Sequence, residues 1–453
     1  MAVLLAALLP VCVVSAEAPN AADAARPFSG FAPRVTLPVL LKAHSVVADD
    51  MNEDGHLDLV VAVAGANSVA FFAGHGDGTF EPATYLPVGM TPKFAATGDF
   101  NRDGHRDIVV ADQDDGTISV LLGNGDGTFR PKVTYASCHG AHEVAVADFN
   151  DDGKDDVAVA CHGQPYSVSV FLGNGDGTFQ PQSVLTPGAE PTALVVGDFN
   201  GDGKPDLAFA LRAADAVAIL LGNGDGTFQP PVTYPTGHSP HAVRAADLNG
   251  DGILDLVTAD DYANAISILY GKGDGSFGPH VDMAVNNFPK SIALADLNGD
   301  GRPDIVVTNT TYPTCCTVEG STISVFINEG GGRFAARRDF DAGGNPFSLL
   351  VRDLNGDGKA DVATANFVDQ TRAYHVYLEI THGLGLSGKP ARIAGTALIL
   401  VIGLLISLIV RRRSALTGMV VTLILAVILA GWFYKWSKPR LDGDSHITIL
   451  FGQ

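Results

Sequence analysis

The sequence predicts an all-β, seven-bladed propeller of four-stranded blades, followed by a two-helix transmembrane hairpin. Three observations carry this reading. A nine-residue pattern, DxNxDGxxD, starts at Asp50, Asp99, Asp148, Asp198, Asp247, Asp296 and Asp353, spaced by 49 or 50 residues with one final step of 57. A glycine-rich pattern follows each of the first five copies at a steady offset. Two uncharged stretches, each close to the ~20 residues that cross a bilayer, lie towards the C-terminal end. A four-stranded unit of roughly 40 to 50 residues, repeated in phase, is the signature of a propeller blade.

The first pattern is a cation-binding loop. In the second copy Asp99, Asn101, Asp103 and Asp107 present side-chain oxygens, Gly104 permits the sharp turn, and His105 offers its backbone carbonyl. The equivalent sets are Asp50, Asn52, Asp54, His56 and Asp58; Asp148, Asn150, Asp152, Lys154 and Asp156; and Asp198, Asn200, Asp202, Lys204 and Asp206. They continue with Asp247, Asn249, Asp251, Ile253 and Asp255; Asp296, Asn298, Asp300, Arg302 and Asp304; and Asp353, Asn355, Asp357, Lys359 and Asp361. Hard oxygens at alternate positions of a tight loop suit Ca²⁺, up to seven ions in all. The residues that follow, such as DIVVAD, DVAVAC and DLVTAD, are β-branched runs. The loop therefore joins two strands, which excludes an EF-hand.

The second pattern reads LLGNGDGTFRP at Leu121–Pro131, FLGNGDGTFQP at Phe171–Pro181 and LLGNGDGTFQP at Leu220–Pro230. Its glycines allow positive φ, so it is a tight hairpin turn between two strands. Each repeat parses as an inner strand, the acidic loop, a second strand, a third, the glycine turn and an outer strand. The pair DFNRDGHRD with LLGNGDGTF resembles the FG-GAP/VCBS repeat family, whose relatives include the heads of integrin α chains. The resemblance spans about 28–380. It implies a propeller with calcium loops on its bottom face, ligands met on its top face, and a role in binding or adhesion. The sixth repeat departs from the pattern with NEGGGRF at Asn328–Phe334, and the seventh offers only HVYLEI at that place.

The ends complete the organisation. FSGFAPRVTLPV at Phe28–Val39 echoes GTFQPPVTYPTG and reads as an outer strand without an inner blade of its own, so it is expected to finish blade seven and close the ring. Residues 1–16 form an apolar export signal ending in Val14-Ser15-Ala16, without a basic start; Val11 argues against a lipoprotein site at Cys12. Residues 17–27 are a spacer and 381–392 a glycine-rich linker. Residues 393–410 and 415–434 are the membrane-crossing helices and 411–414, with three arginines, the cytoplasmic turn. Residues 435–453 return to the exported side. There HITILFGQ resembles ISILYG of the fifth repeat, and whether it docks as a strand stays open. The chain is thus expected in the cell membrane with the propeller facing the extracytoplasmic side.

The net charge of -21 rests on 50 acidic residues, of which the aspartate ligand positions of the seven loops hold twenty-one. Seven Ca²⁺ would leave about -7. The acidity is metal-site chemistry, and a nucleic-acid partner is excluded on charge. Counting six residues back from each first aspartate gives His44, Lys93, His142, Thr192, His241, Lys290 and Phe347, one per blade at the start of the inner strand. They are either solvated strand-start residues or a ring around the channel mouth that takes an anionic or sugar-like ligand.

Cys138 and Cys161 fall at the same end of blade three, where a disulfide is the preferred reading, ahead of free thiols or a metal site with His139, His142 or His162. The partners of Cys315 and Cys316 cannot be read off. With no GxSxG or HExxH, the reading is a non-enzymatic, membrane-anchored calcium propeller that binds an unidentified protein or glycan. The rivals are a hydrolase or lyase built on the propeller and a passive scaffold subunit of a cell-envelope complex.

Overall fold

The computed structural model describes residues 28–32, 34–40, 42–310, 321–367, 445–450 and 452. The export signal, the spacer, the linker, both apolar stretches with their arginine turn, and Cys12, Cys315 and Cys316 lie outside the described residues. Among the described residues no helix is long and apolar enough to cross a membrane.

Alternation of apolar and small residues makes each second strand a fully buried element; Asp58–Val63, Asp107–Asp112 and Asp206–Leu211 are buried at every position. Such strands can sit only in the middle of a sheet that is covered on both sides. Seven antiparallel four-stranded sheets result, arranged as blades of a propeller. Blade one runs Ala43–Asp49, Asp58–Val63, Ser68–Phe72 and Thr84–Pro87, and the next five repeat this order. The hydrophobic core lies between blades: Phe149 of blade three, for example, packs with Leu194, Leu207 and Phe209 of blade four. The bottom face carries the acidic loops and glycine hairpins. The top carries the turns between second and third strands and the crossovers to the next blade.

The hairpins bind neighbouring blades as well as their own. Gly177, Gly226 and Gly275 each donate to a carbonyl in the acidic loop of the preceding blade, Phe100, Phe149 and Phe199, at 2.9 Å. Blades one to five start this turn on glycine, and a Cβ on Gly74 would stand 2.1 Å from the Leu57 carbonyl oxygen. In blade six Asn328 takes that place, pairing with Phe334 across a short hairpin, so the divergent NEGGGRF still turns the chain and the blade keeps four strands.

Blade seven is assembled from distant parts of the chain. Its strands are Pro346–Arg352, Asp361–Asn366, Ser445–Leu450 and Val35–Val39, in that order. The third strand is therefore supplied by the C-terminal HITILFG segment, while HVYLEI lies outside the described residues. The physical reason is burial: Ile447 and Ile449 are wholly inaccessible. Thr448 accepts from Asn366 Nδ2 at 2.7 Å, as Ser324 accepts from Asn309 Nδ2 at 2.8 Å in blade six. The bridge Phe31↔Gly452 corresponds to Gly74↔Phe80 and Gly123↔Phe129, so the two chain segments rebuild the glycine hairpin between them. Arg338 of blade six caps the join, donating to the Phe28 and Ser29 carbonyls and lying 5.3 Å from the Phe28 ring.

Ile449→Ala should accordingly destabilise the propeller by about 2–5 kcal/mol, the cost of a large-to-small change in a core. Thermal unfolding of the full chain checks this. A change of under ~0.5 kcal/mol, typical of a surface site, would place the third strand elsewhere.

Candidate functional site

Two sets of residues stand apart from the packing. At the bottom, each acidic loop is prefolded by its own backbone. In loop one Asp50 Oδ1 and Asn52 Oδ1 accept from the Asp54 amide, Asp50 Oδ2 from Gly55, and Asp54 Oδ1 from His56. Loop four repeats all four bonds at Asp198, Asn200 and Asp202. The oxygens of positions one and three thus converge on one N–H, and Gly55 and Gly203 hold φ of 85° and 82°, which a side chain rarely adopts.

Position nine has a task that the spacing does not reveal. Asp58 accepts from Met51 N with Oδ2 and from Gly74 N with Oδ1, joining the acidic loop to the glycine hairpin, and it is wholly buried. The same two bonds occur at Asp107, Asp156, Asp206, Asp255 and Asp304, and at Asp361, which reaches Gly452. Burial raises the carboxyl of Asp107 to about 6 against these bonds. Among the described residues no three His, Cys, Asp or Glu side chains are grouped to hold a metal. The set that fits a hard cation is Asp, Asn and Asp at positions one, three and five. In loop three the fit is most direct, since Asn150 Oδ1 is buried without a partner beside Asp148 and Asp152. In other respects the loops differ: Lys154 and Arg302 reach the position-five carboxylates of their own loops, Asp152 and Asp300.

At the top, the inner strands carry a bulge at the same place in every blade. The register skips at His44, at Lys93 with Phe94, at His142, Thr192 and His241, at Lys290 with Ser291, and at Phe347. A bulge re-aims the side chain it leaves unpaired. Four rings then close across alternate blades: His44 to His142 at 5.7 Å between centroids, His142 to His241 at 6.2 Å, His241 to Phe347 at 6.2 Å, and Phe347 to His44 at 5.1 Å. Phe94 packs against His44 and His142. The mouth therefore has an aromatic floor.

These residues also tie blades together. Thr192 Oγ1 donates to the Pro240 carbonyl at 3.0 Å, and His241 Nδ1 bonds the Lys290 carbonyl at 3.1 Å. Burial drives the histidines towards neutrality: His142 falls to about 3, and His44 and His241 lie well below the ordinary value. Burial also lowers Lys93 to about 8, while Lys290 is held by Asp261 at 2.5 Å.

A second ring escaped the sequence reading although it keeps the same period. Ala64, Gln113, His162, Arg212, Asp261, Thr310 and Phe367 follow the second strand of each blade, and each amide donates to the crossover carbonyl at Lys42, Thr91, Gly140, Glu190, Ser239, Phe288 or Asn345. His162 lies 5.0 Å from His142, and Phe367 lies 5.1 Å from Phe347. Cys138 and Cys161 form a disulfide beside this ring, with Cα atoms 5.9 Å apart.

Comparison with known proteins follows from this geometry. The FG-GAP-like repeat matches at residues 50–110, 99–159, 148–209, 198–258, 247–307 and 314–364. The chain belongs to the FG-GAP-like repeat family. Among solved structures, BBS1N in complex with ARL6DN has a TM-score of 0.53 at 11% identity, covering 74% of this chain and 93% of that one. An Agrocybe aegerita lectin that recognises non-reducing terminal N-acetylglucosamine has a TM-score of 0.44 at 20% identity, covering 74% of this chain and 90% of that one. At these identities the likeness concerns the fold. No curated protein matches the chain.

The buried histidines of this FG-GAP repeat protein fix a pH response. The unfolded chain takes up their protons near pH 6.5 and the folded chain only far below, so stability falls as pH drops from about 6.5 towards 3, by up to ~1.4 kcal/mol per pH unit for each histidine. Lys93, His162 and Arg212 face His142 and act in the same direction. Urea unfolding at pH 7, 6, 5 and 4 should give a shallower decline for His142→Phe than for the native chain, since the carboxylates are common to both. Identical slopes would mean that His142 is protonated in the fold.

Proposed function

We propose that this protein is an exported, membrane-anchored, calcium-loaded propeller that acts as a binding or adhesion module, and that its top mouth takes a hydroxyl-rich, glycan-type ligand. One observation carries the ligand class: the mouth holds buried hydrogen-bonding atoms without partners. These are Gln113 Oε1, Asp261 Oδ1, and Nδ1 of His44 and His142. A neutral histidine carries one acceptor nitrogen, so His44 and His142 each offer one. Orphaned buried acceptors are costly, by about 1–3 kcal/mol each, and a ligand rich in O–H donors relieves that cost. Phe94, Phe347 and Phe367 supply apolar ring faces beside them. An anionic ligand is less suited, because the histidines are neutral and Lys290 already has its counter-ion.

Calcium would be held by positions one, three and five of each loop, where it supplies positive charge between carboxylates. At ~1 mM Ca²⁺, sites with a Kd of about 0.1–1 mM contribute roughly 0.4–1.4 kcal/mol each. A binding role is favoured over turnover because raised carboxyls such as Asp107 and Asp304 are engaged by backbone amides.

Chelation by EGTA should lower the unfolding temperature and added Ca²⁺ restore it. Asp54→Ala should reduce that calcium-dependent shift, whereas Asp58→Ala should cost more than about 3 kcal/mol even in EGTA, because two buried amides lose their acceptor. An unfolding temperature indifferent to EGTA would sink the calcium reading. For the ligand, a glycan array probed with the calcium-loaded chain should give binding that Gln113→Ala and Lys93→Ala each weaken about tenfold, equivalent to ~1.4 kcal/mol. Binding unaffected by either change would move the ligand off the mouth.

A further inference from the structure

The strand pairing of blade seven says which way the propeller faces. Asp361–Asn366 runs from the bottom loop to the top, and Ser445–Leu450 runs back down, with Asn366 opposite His446. Val39 of the outer strand pairs with Ser445 at the same level. The chain between these strands therefore leaves and re-enters the propeller at one point on its top face. Within it lie both apolar stretches, 393–410 and 415–434. The return link, 435–444, has ten residues and spans at most about 36 Å when fully extended.

The surface at that end differs from the other. Among the described residues, the large exposed apolar side chains outside the outer strands are Leu40 (39%), Met90 (51%) and Tyr262 (44%), and all three stand in top-face loops. Lys42, Lys93 and Arg212 share this face with Asp114, Asp115, Asp215 and Glu190, so its charge is mixed. The bottom face is acidic on balance, although Lys154, Lys204, Lys272 and Arg302 also stand there. It carries the seven loops and the hairpin carboxylates Asp77, Asp126, Asp176, Asp225 and Asp274, each capping the turn residue two places on.

From this we infer that the top face is held against a lipid headgroup surface, with Leu40, Met90 and Tyr262 towards the bilayer and the acidic loops directed away from it. The inference rests on the membrane-anchored reading given above. Two physical effects act together: the short return link tethers that face, and an anionic lipid surface repels the opposite one. Loop-borne apolar side chains at the headgroup boundary add burial of the kind that holds interfacial segments. The mouth then opens into a gap no deeper than about 36 Å, so a glycan borne by the same membrane is within its reach.

The experiment uses the full chain reconstituted in vesicles of phosphatidylcholine and phosphatidylglycerol that carry a headgroup-linked quencher. In a background with Cys12, Cys315 and Cys316 replaced by serine, a fluorophore is attached through Met90→Cys on the top or Lys272→Cys in a bottom hairpin. Quenching should be at least twofold stronger at position 90. Equal quenching, or stronger quenching at 272, in protein that stays with the vesicles through a carbonate wash would overturn the orientation while leaving the anchor intact. Release of the chain by carbonate would refute the anchor itself, and the orientation with it.

Discussion

Seven buried aspartates, one in each blade, hold the two ends of every repeat's turn chemistry together. Each gives one oxygen to an amide at the start of the acidic loop and the other to an amide at the start of the hairpin, as Asp206 does with Phe199 and Gly222 at 2.8 and 2.7 Å. Both amides are shut away from water, so the carboxylate replaces a solvent that cannot reach them. From this clamp follow the closeness of loop and hairpin, the use of glycine in blades one to five where a Cβ would meet a backbone carbonyl, and the contact between one blade's hairpin and its neighbour's loop. Even where the hairpin sequence diverges, as at Asn328, the amide is delivered to Asp304.

This division of labour sharpens the chemistry of the nine-residue loop. Positions one, three and five remain near the surface with oxygens turned on a common centre, while position nine belongs to the sheet. The acidic loop is held by its own side-chain-to-amide bonds, and in the calcium-loaded form proposed above the cation would relieve repulsion between these carboxylates. Where Lys154 or Arg302 leans onto position five, a side-chain cation offers part of that relief.

Much of this was legible in the sequence because a period of 49 or 50 residues is a global constraint. It revealed the blade count, the loop and hairpin positions, and the residues of the upper ring, which the bulges bring to one axis. The second ring, from Gln113 to Phe367, had the same period but no shared residue type, so inspection for chemistry passed over it. The protonation state of His142 was not legible at all, since a histidine at a strand start is solvated in one fold and enclosed by four neighbours in another. The third strand of blade seven was hidden for a different reason. HVYLEI and HITILFG both have strand character, and only the buried register of Ile447 and Ile449 decides between them.

The composite seventh blade imposes an order on biosynthesis. Val35–Val39 leaves the ribosome first and finds no partner until Ser445–Leu450 has been made, which happens only after the apolar stretches between them have emerged. Six blades can stack as they appear, but the ring stays an open arc with exposed sheet edges through that interval. Synthesis of the apolar stretches thus precedes closure of the ring, and a chain arrested before closure would carry the unpaired edges that chaperones and proteases recognise.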